Sequence, residues 1–259
     1  MTQTERRLFL IQELLKEQPQ YSKMEIPSNE QKQKVLLRSL FNIRMPLPVN
    51  DEFLDVQNAY LQEEIRRKGI TKLTELQPIR KGLYLWQGDI TTLECDAIVN
   101  AANSQMLGCF CPNHGCIDNA IHTFSGIQLR LACSDLMKQQ GHEEETGTAK
   151  ITLAYNLPCQ YVIHTVGPIV RGRLTKKDKK MLVSCYRSCL ELAEQNGLKS
   201  IAFCCISTGE FHFPNNKAAE IAIQTVKNFK AQAHSEIEVI FNVFKDIDYK
   251  IYRELLGAN

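Results

Sequence analysis

Glycine does not appear until residue 69 of this 259-residue chain, cysteine until residue 95 and histidine until residue 114. The first quarter therefore lacks thiols, imidazoles and glycine-rich loops. Metal ligation and nucleophilic chemistry built on them belong to the rest of the chain. A strong charge of either sign is also missing. Lys and Arg number 31 and Asp and Glu 29, a net charge of +2, which excludes nucleic-acid binding driven by bulk electrostatics. No apolar run approaches the roughly 18 residues of a membrane helix. The first apolar stretch is interrupted by Gln12 and Glu13 and is not a signal peptide. With 44% hydrophobic and 23% charged residues, the chain is not wholly disordered. These features predict a soluble, cytoplasmic protein of one or two domains, at about 150 residues per domain.

What is present early is helical periodicity. Leu8, Ile11 and Leu15 recur at helical spacing. Ser28 followed by Gln31 fits a capping box, and Val35, Leu36, Leu40 and Phe41 supply an apolar face up to Pro46 and Pro48, which end the helix. Asn50 suits the start of a third helix carrying Phe53, Val56, Tyr60 and Leu61. Their three apolar stripes are too few for a generous core of their own. Residues 1–75 are therefore expected to be a helical extension packed on a second unit, residues 76–259.

From about residue 80 the period changes. Leu83–Gln87, Ala97–Val99, Ile151–Ala154, Tyr161–Thr165, Ser200–Ile206 and Ile237–Phe244 read as strands. Ile117–Gln140, Asp178–Gln195, Asn216–Lys230 and Asp246–Leu256 read as helices. Alternation of this kind predicts an α/β layered fold, which binds ligands at the loops beyond its strand ends.

Four such loops carry chemistry. Gln87-Gly-Asp-Ile-Thr91 offers a carboxylate, Asp89, after a strand, although a Gly-Asp pair also makes a plain turn. Val99-Asn-Ala-Ala-Asn-Ser104 sets two amides three residues apart, suited to sugar hydroxyls or to an Asx turn. Gly108-Cys-Phe-Cys-Pro-Asn-His-Gly-Cys-Ile-Asp-Asn119 crowds three thiols and an imidazole together. Zinc favours this donor set, and three protein ligands leave a fourth position open, the pattern of catalytic zinc; incidental thiols are the alternative. Ile206-Ser-Thr-Gly-Glu-Phe-His-Phe-Pro214 can cradle a phosphate with backbone N–H groups around Gly209, with Phe211 and Phe213 along a ribose or base, or can simply join strand to helix. Seven of the ten cysteines sit in apolar settings and read as structural.

Taken in order, Gly-Asp-Ile, Asn-Ala-Ala-Asn, the Cys/His loop ending Cys-Ile-Asp-Asn, His164-Thr-Val-Gly167 and Ser-Thr-Gly-x-Phe-x-Phe-Pro resemble the macrodomain family over roughly residues 75–259. The chain is most similar to its zinc-containing bacterial branch, protein-ADP-ribose hydrolases associated with a sirtuin-type ADP-ribosyltransferase. The resemblance implies a three-layer α/β/α sandwich with a mixed sheet and an ADP-ribose cleft. It implies that Asp89 receives the adenine amino group beside Ile90, and that Asn103 contacts the distal ribose with Asp118 nearby. Ser207, Thr208, Gly209, Glu210 and Phe211 would hold the diphosphate, and Asn100, Ile117 and Asn119 would join the substrate site. One zinc would sit on Cys109, His114 and Cys116, with Cys111 competing with Cys109. Glu210 would turn its carboxylate away from the phosphates.

The implied activity is removal of mono-ADP-ribose from acidic protein side chains, with Asn103 orienting the ribose and Asp118 acting as base or positioning water. Zinc would either activate water or anchor the ribose. The implied substrate is a lipoyl-carrier-like protein modified by a sirtuin-type transferase, with no nucleic acid or membrane as partner. A non-catalytic ADP-ribose reader is the alternative, and it has no need of the metal loop. A single-strand or RNA-binding module ranks last, for want of a basic aromatic stripe.

Overall fold

The computed structural model of the chain describes residues 1–21 and 23–257. Three helices come first, α1 Gln3–Lys16, α2 Glu30–Ile43 and α3 Asp51–Lys68. Thr2 and Glu5 close a capping box at α1. At α2 the cap is Asn29, whose side chain accepts from the Lys32 N–H, and not the expected Ser28. Asn carries the same acceptor one residue closer to the helix. Asn50 caps α3 as expected, by accepting from Phe53 N–H.

The three helices enclose a small core of Leu10, Ile11, Leu14, Leu37, Leu40, Phe41, Phe53, Tyr60 and Leu61, with Ile127 from the following unit inserted among them. Ile65, one turn before the end of α3, belongs instead to the main core. Val35, expected on the apolar face, is exposed.

The remaining elements are β1 Thr71–Lys72, β2 Leu83–Gln87, β3 Leu93–Glu94, β4 Ala97–Ala102, α4 Ile117–Ser125, α5 Ile127–Gln140, β5 Ala149–Leu153, β6 Tyr161–Val166, α6 Lys176–Gln195, β7 Ser200–Phe203, α7 Asn215–Ala233, β8 Glu238–Val243 and α8 Asp246–Leu256. Strands β1 and β3 form a short parallel pair. The other six make one sheet in the order β2-β8-β7-β4-β6-β5. It is parallel except for β5, which runs against β6. Helices α6, α7 and α8 lie side by side across the sheet, and α4 and α5 pack on β4 and β5. This is the expected α/β sandwich with a mixed central sheet. Strand residues such as Ile98, Val99, Val162, Ile163, Ile201 and Ile240 are fully enclosed, as the helix-covered faces of a mainly parallel sheet demand.

The helix expected over Ile117–Gln140 is two helices. The chain breaks at Gly126, which adopts φ +98°, and a Cβ there would lie 2.7 Å from Gln128 Oε1 and 2.8 Å from Gln57 Nε2. Gln57 of α3 accepts from the Ile127 N–H at 3.0 Å, and Asn156 donates to the Ser125 carbonyl at 2.9 Å. Two polar side chains distant in sequence thus satisfy the groups freed by the break.

Strands β2, β8, β7, β4 and β6 are parallel, so their carboxyl ends fall on one edge of the fold. There the chain leaves the sheet as Gly88-Asp89, Phe244, Cys204–Pro214, Asn103–Cys116 and Gly167-Pro168, and all of these but Phe244 belong to the segments that carried the motifs.

Candidate functional site

At one end of this edge, Asp89 follows β2. Its Oδ1 accepts from Thr91 N–H at 3.0 Å and from Thr91 Oγ1 at 2.6 Å, and its Oδ2 accepts from Lys68 Nζ at 2.9 Å. Burial raises the carboxyl's proton affinity, but the hydrogen bonds from Lys68 and Thr91 outweigh it, so the group sits below the usual carboxylate range. Lys68 ends α3, and its ammonium lies 3.2 Å from the centroid of the Phe124 ring. Ile90 is enclosed in the core, leaving only its backbone for a ligand. On the next strand, Gly88 N–H donates to Val243 O at 3.1 Å. Phe244 follows Val243 and is 75% exposed. That exposed aromatic, one residue past the β8 partner of Gln87, was hidden inside the expected strand Ile237–Phe244; its place at a strand end was the signal.

In the middle, β7 stops at Phe203 and residues 204–214 form a loop, so the expected strand Ser200–Ile206 is shortened. Ser207 adopts φ +66°. Its Oγ is buried and without a protein partner, and a Cβ on Gly167 would lie 2.1 Å from it, so the exits of β6 and β7 meet there. Thr208 Oγ1 donates to the Cys205 carbonyl at 3.0 Å. Gly209 and Glu210 are exposed and Phe211 half-buried. Phe213, expected along a ribose or base, is 1% exposed and belongs to the core.

At the far end lies the loop from Asn103 to Cys116. Asn103 Nδ2 donates to Gly108 O at 3.0 Å, and its Oδ1 accepts from Gln105 N–H. Gly108 adopts φ +79°, and a Cβ there would strike the His122 ring at 2.7 Å. The ligating atoms of Cys109, His114 and Cys116 lie within 4.8 Å of one another, with Cys109 Sγ 3.6 Å from His114 Nδ1.

A tetrahedral ion with metal–sulfur bonds of about 2.3 Å and metal–nitrogen bonds of about 2.0–2.1 Å sets sulfur and nitrogen about 3.5 Å apart. The donor set and its spacing therefore fit zinc. Cys111 is exposed and outside the cluster. Burial, only partly relieved by the Asn119 N–H, pushes the Cys116 thiol up to about 12; a nearby cation would favour its thiolate. Cys116 Sγ also caps α4, accepting from that N–H at 3.4 Å.

The far loop meets the middle one at the rim. His114 Nε2 lies 3.6 Å from Glu210 Oε1, whose side chain is largely exposed.

Behind the metal loop, at the start of α4, Asp118 is buried. Burial, partly offset by an Asn100 hydrogen bond and by the charge of Arg130, raises its carboxyl to about 6. Asn100 is fully enclosed in β4. Its amide donates to Asp118 Oδ1 at 2.8 Å and lies 3.2 Å from His164 Nδ1, so it touches Asp118 and not the cleft. His122 Nε2 is 3.5 Å from Asp118 Oδ1. Ile117 is half-buried. Asn119 is enclosed too; its Nδ2 donates to Cys111 O at 2.9 Å and its Oδ1 accepts from Arg38.

Sequence reasoning placed no cleft residue in the first three helices, yet Lys68, Arg38 and Asn42 all reach the cleft loops. No local pattern marks them, since their partners lie far along the chain.

A family model described as Macro domain matches residues 99–222. A protein-ADP-ribose hydrolase of Treponema medium is 57% identical, over 99% of this chain and 100% of that protein. One of Staphylococcus aureus (strain MRSA252) is 49% identical, over 97% of this chain and 95% of that one. Among solved structures, the macrodomain of Trypanosoma brucei in complex with ADP-ribose is 30% identical with a TM-score of 0.66, over 85% of this chain and 95% of that one. The Oceanobacillus iheyensis macrodomain with ADP is 36% identical with a TM-score of 0.62, over 70% of this chain and 94% of that one.

Proposed function

The chain belongs to the macrodomain family, and on that footing we propose that it is a protein-ADP-ribose hydrolase that removes single ADP-ribose groups from modified side chains. The observation that carries this reading is the convergence, on one edge of the sheet, of Asp89, the loop amides of Ser207, Gly209, Glu210 and Phe211 and the Cys109/His114/Cys116 cluster. The full-length similarity to hydrolases supports it.

In this reading Asp89 accepts the adenine amino group, with the face of Phe244 beside it. Backbone N–H groups of Ser207, Thr208, Gly209, Glu210 and Phe211 take the diphosphate, and the unpartnered Ser207 hydroxyl adds a donor. Asn103 orients the distal ribose. Asp118, with its carboxyl near 6, is available as the carboxylate at neutral pH to take the proton of the attacking water. Asn100 acts through Asp118 and Asn119 through the loop.

Cys109, His114 and Cys116 would hold one zinc. When bound there, the ion would supply Lewis acidity to the site. A module that only reads ADP-ribose has no use for this cluster. The linkage is to acidic side chains and the substrate a lipoyl-carrier-like protein modified by a sirtuin-type transferase, in the cytoplasm. Both follow the branch that the Cys/His loop resembles. Among the described residues no helix is long and apolar enough to cross a membrane. Residues 76–259 form the catalytic unit and residues 1–75 its helical extension.

The test is incubation with mono-ADP-ribosylated proteins, with and without chelator, followed by detection of free ADP-ribose. Release that chelator abolishes is the expected result. Tight ADP-ribose binding with no release from any modified protein would leave a reader.

A further inference from the structure

The metal cluster is built on a segment with no secondary structure of its own. Between β4 and α4 there is neither helix nor strand, so the backbone groups there must find partners elsewhere. Many of those partners come from α2. Arg38 Nη2 donates to His114 O at 3.0 Å and to Asn119 Oδ1 at 2.8 Å, and its Nε reaches the same Oδ1 at 3.2 Å. Asn119 passes the restraint on, through its bond to Cys111 O at 2.9 Å and a longer one to Cys109 O at 3.4 Å.

One turn later, Asn42 Oδ1 accepts from Asn113 N–H at 2.9 Å while Asn42 Nδ2 donates to Thr123 Oγ1 at 3.0 Å. Asn113 adopts φ +54°, a left-handed conformation that its side chain tolerates but does not dictate. Residues four apart share a helix face. Arg38 and Asn42 thus turn one face of α2 to the loop, while Leu37, Leu40 and Phe41 face the helical core.

We propose that Arg38 and Asn42 are positioning residues of the hydrolase site: α2 clamps the 108–116 loop into the shape that brings Cys109, His114 and Cys116 together. This rests on the reading of that loop as the holder of zinc and distal ribose. It makes the helical extension part of the cleft's architecture, although none of its residues touches the reacting atoms. Arg is required at position 38 because two acceptors in different directions need a planar fork, which a lysine ammonium does not offer. The hydrogen bonds of Arg38 and Asn42 go to His114, Asn119, Asn113 and Thr123, and none goes to Asp89 or to residues 207–211.

The experiment uses the full chain carrying Arg38→Ala, Arg38→Lys or Asn42→Ala. Calorimetry gives the affinity for ADP-ribose and for ADP, which lacks the distal ribose. Zinc transfer to a chromogenic chelator and hydrogen exchange at the Asn113 amide report on the loop. Arg38→Ala is expected to weaken ADP-ribose about tenfold, leave ADP as in wild type, and speed zinc loss about 10–100-fold, the usual cost of losing a group that orients metal ligands. Arg38→Lys falls between, and Asn42→Ala speeds exchange at Asn113.

A general loss of fold would weaken both nucleotides together. Should Arg38→Ala not fold, Arg38→Lys and Asn42→Ala carry the same comparison. Folded variants with wild-type nucleotide selectivity, zinc loss and exchange would overturn the clamp. A wild-type chain that binds ADP-ribose no better than ADP would instead overturn the reading of the loop, and exchange at Asn113 would still decide the clamp.

Discussion

Lys68 Nζ lies 2.9 Å from Asp89 Oδ2 and also rests over the Phe124 ring, so a cation from the third helix is shared between a carboxylate and an aromatic face where the chain leaves β2. Burial lowers the proton affinity of Lys68 despite that pairing. Removing Asp89 would therefore leave an ammonium with less compensation than it has in water.

The first prediction follows from this pair. Asp89→Asn retains the shape and an acceptor oxygen but loses the charge. It should weaken ADP and ADP-ribose alike, by roughly 1–3 kcal/mol, the range for hydrogen bonds to charged groups, with zinc content unchanged. Asp89→Ala should also lower the melting temperature, because Lys68 is then unpaired. Wild-type affinity for both nucleotides in calorimetry would reduce Asp89 to the cap of the Ile90–Thr92 turn.

Metal content gives the second. Purified protein should carry about one zinc per chain, and Cys111→Ala should keep it. Cys116 has two tasks, ligand and cap of α4, and serine separates them because it is a good N-cap and a poor zinc ligand. Cys116→Ser should lose the metal while keeping most of the fold, and Cys116→Ala should be less stable by about 1 kcal/mol more. Elemental analysis that finds zinc in Cys116→Ser, or none in wild type grown with zinc, would reject the ligand set.

Much of this was legible locally. Strand β2 and helix α8 run over the residues that the apolar pattern indicates, Leu83–Gln87 and Asp246–Leu256, β2 ending before Gly88 and α8 before Gly257, which adopts a left-handed conformation. The misreadings arose where distant side chains decide. Gln57 and Asn156 stabilise the break at Gly126, and Phe213 is drawn into the core after the 204–210 loop turns. Among the site residues, Asp89, Asn103 and the Cys/His cluster announce themselves by residue type at strand ends. Asn100 and Asn119 carry the same amide chemistry as Asn103, yet burial turns them into supports, and burial is a property of packing.

Acid sensitivity is the third prediction. His164 is fully enclosed, and burial lowers its proton affinity from 6.5 to about 3; His122 is lowered as well. The unfolded chain takes up these protons as pH falls below about 6.5, while the fold refuses them, so stability declines on acidification between 6.5 and 3. The slope reaches about 1.4 kcal/mol per pH unit for each histidine. His164→Asn, which keeps an acceptor for Asn100, should be less stable than wild type at pH 7. That deficit should shrink steadily toward pH 4. Denaturation curves with a pH-independent difference between the two proteins would show that His164 is not buried neutral.

The fourth concerns the extension as a whole. Deleting residues 1–75 strips the apolar cover from Ile127, removes Lys68 from Asp89 and takes away the α2 bonds to the metal loop. The shortened chain should be less soluble and less stable, and should lose zinc readily. If it proved as stable as the full chain and retained its metal, the docking of α1–α3 would be incidental.

Asn100 and Asp118 offer the sharpest separation of roles. Asn100 is enclosed on all sides, and of its two polar contacts, with His164 and with Asp118, the one that leads to the site is its 2.8 Å bond to Asp118 Oδ1. Asp118→Asn keeps the volume but cannot take up a proton. It should cut single-turnover release of ADP-ribose by about 10²–10⁴-fold, the usual reach of a general base, with ADP-ribose affinity little changed. Asn100→Ala should cut release less, by leaving the carboxylate misaligned and more costly to ionise. The two effects must not add, because once Asp118 can no longer accept a proton, aligning it is worth nothing. Release from the double variant should therefore match Asp118→Asn alone. A multiplicative loss would show that Asn100 acts by another route, and an active Asp118→Asn would leave the metal cluster and Asn103 to carry the chemistry.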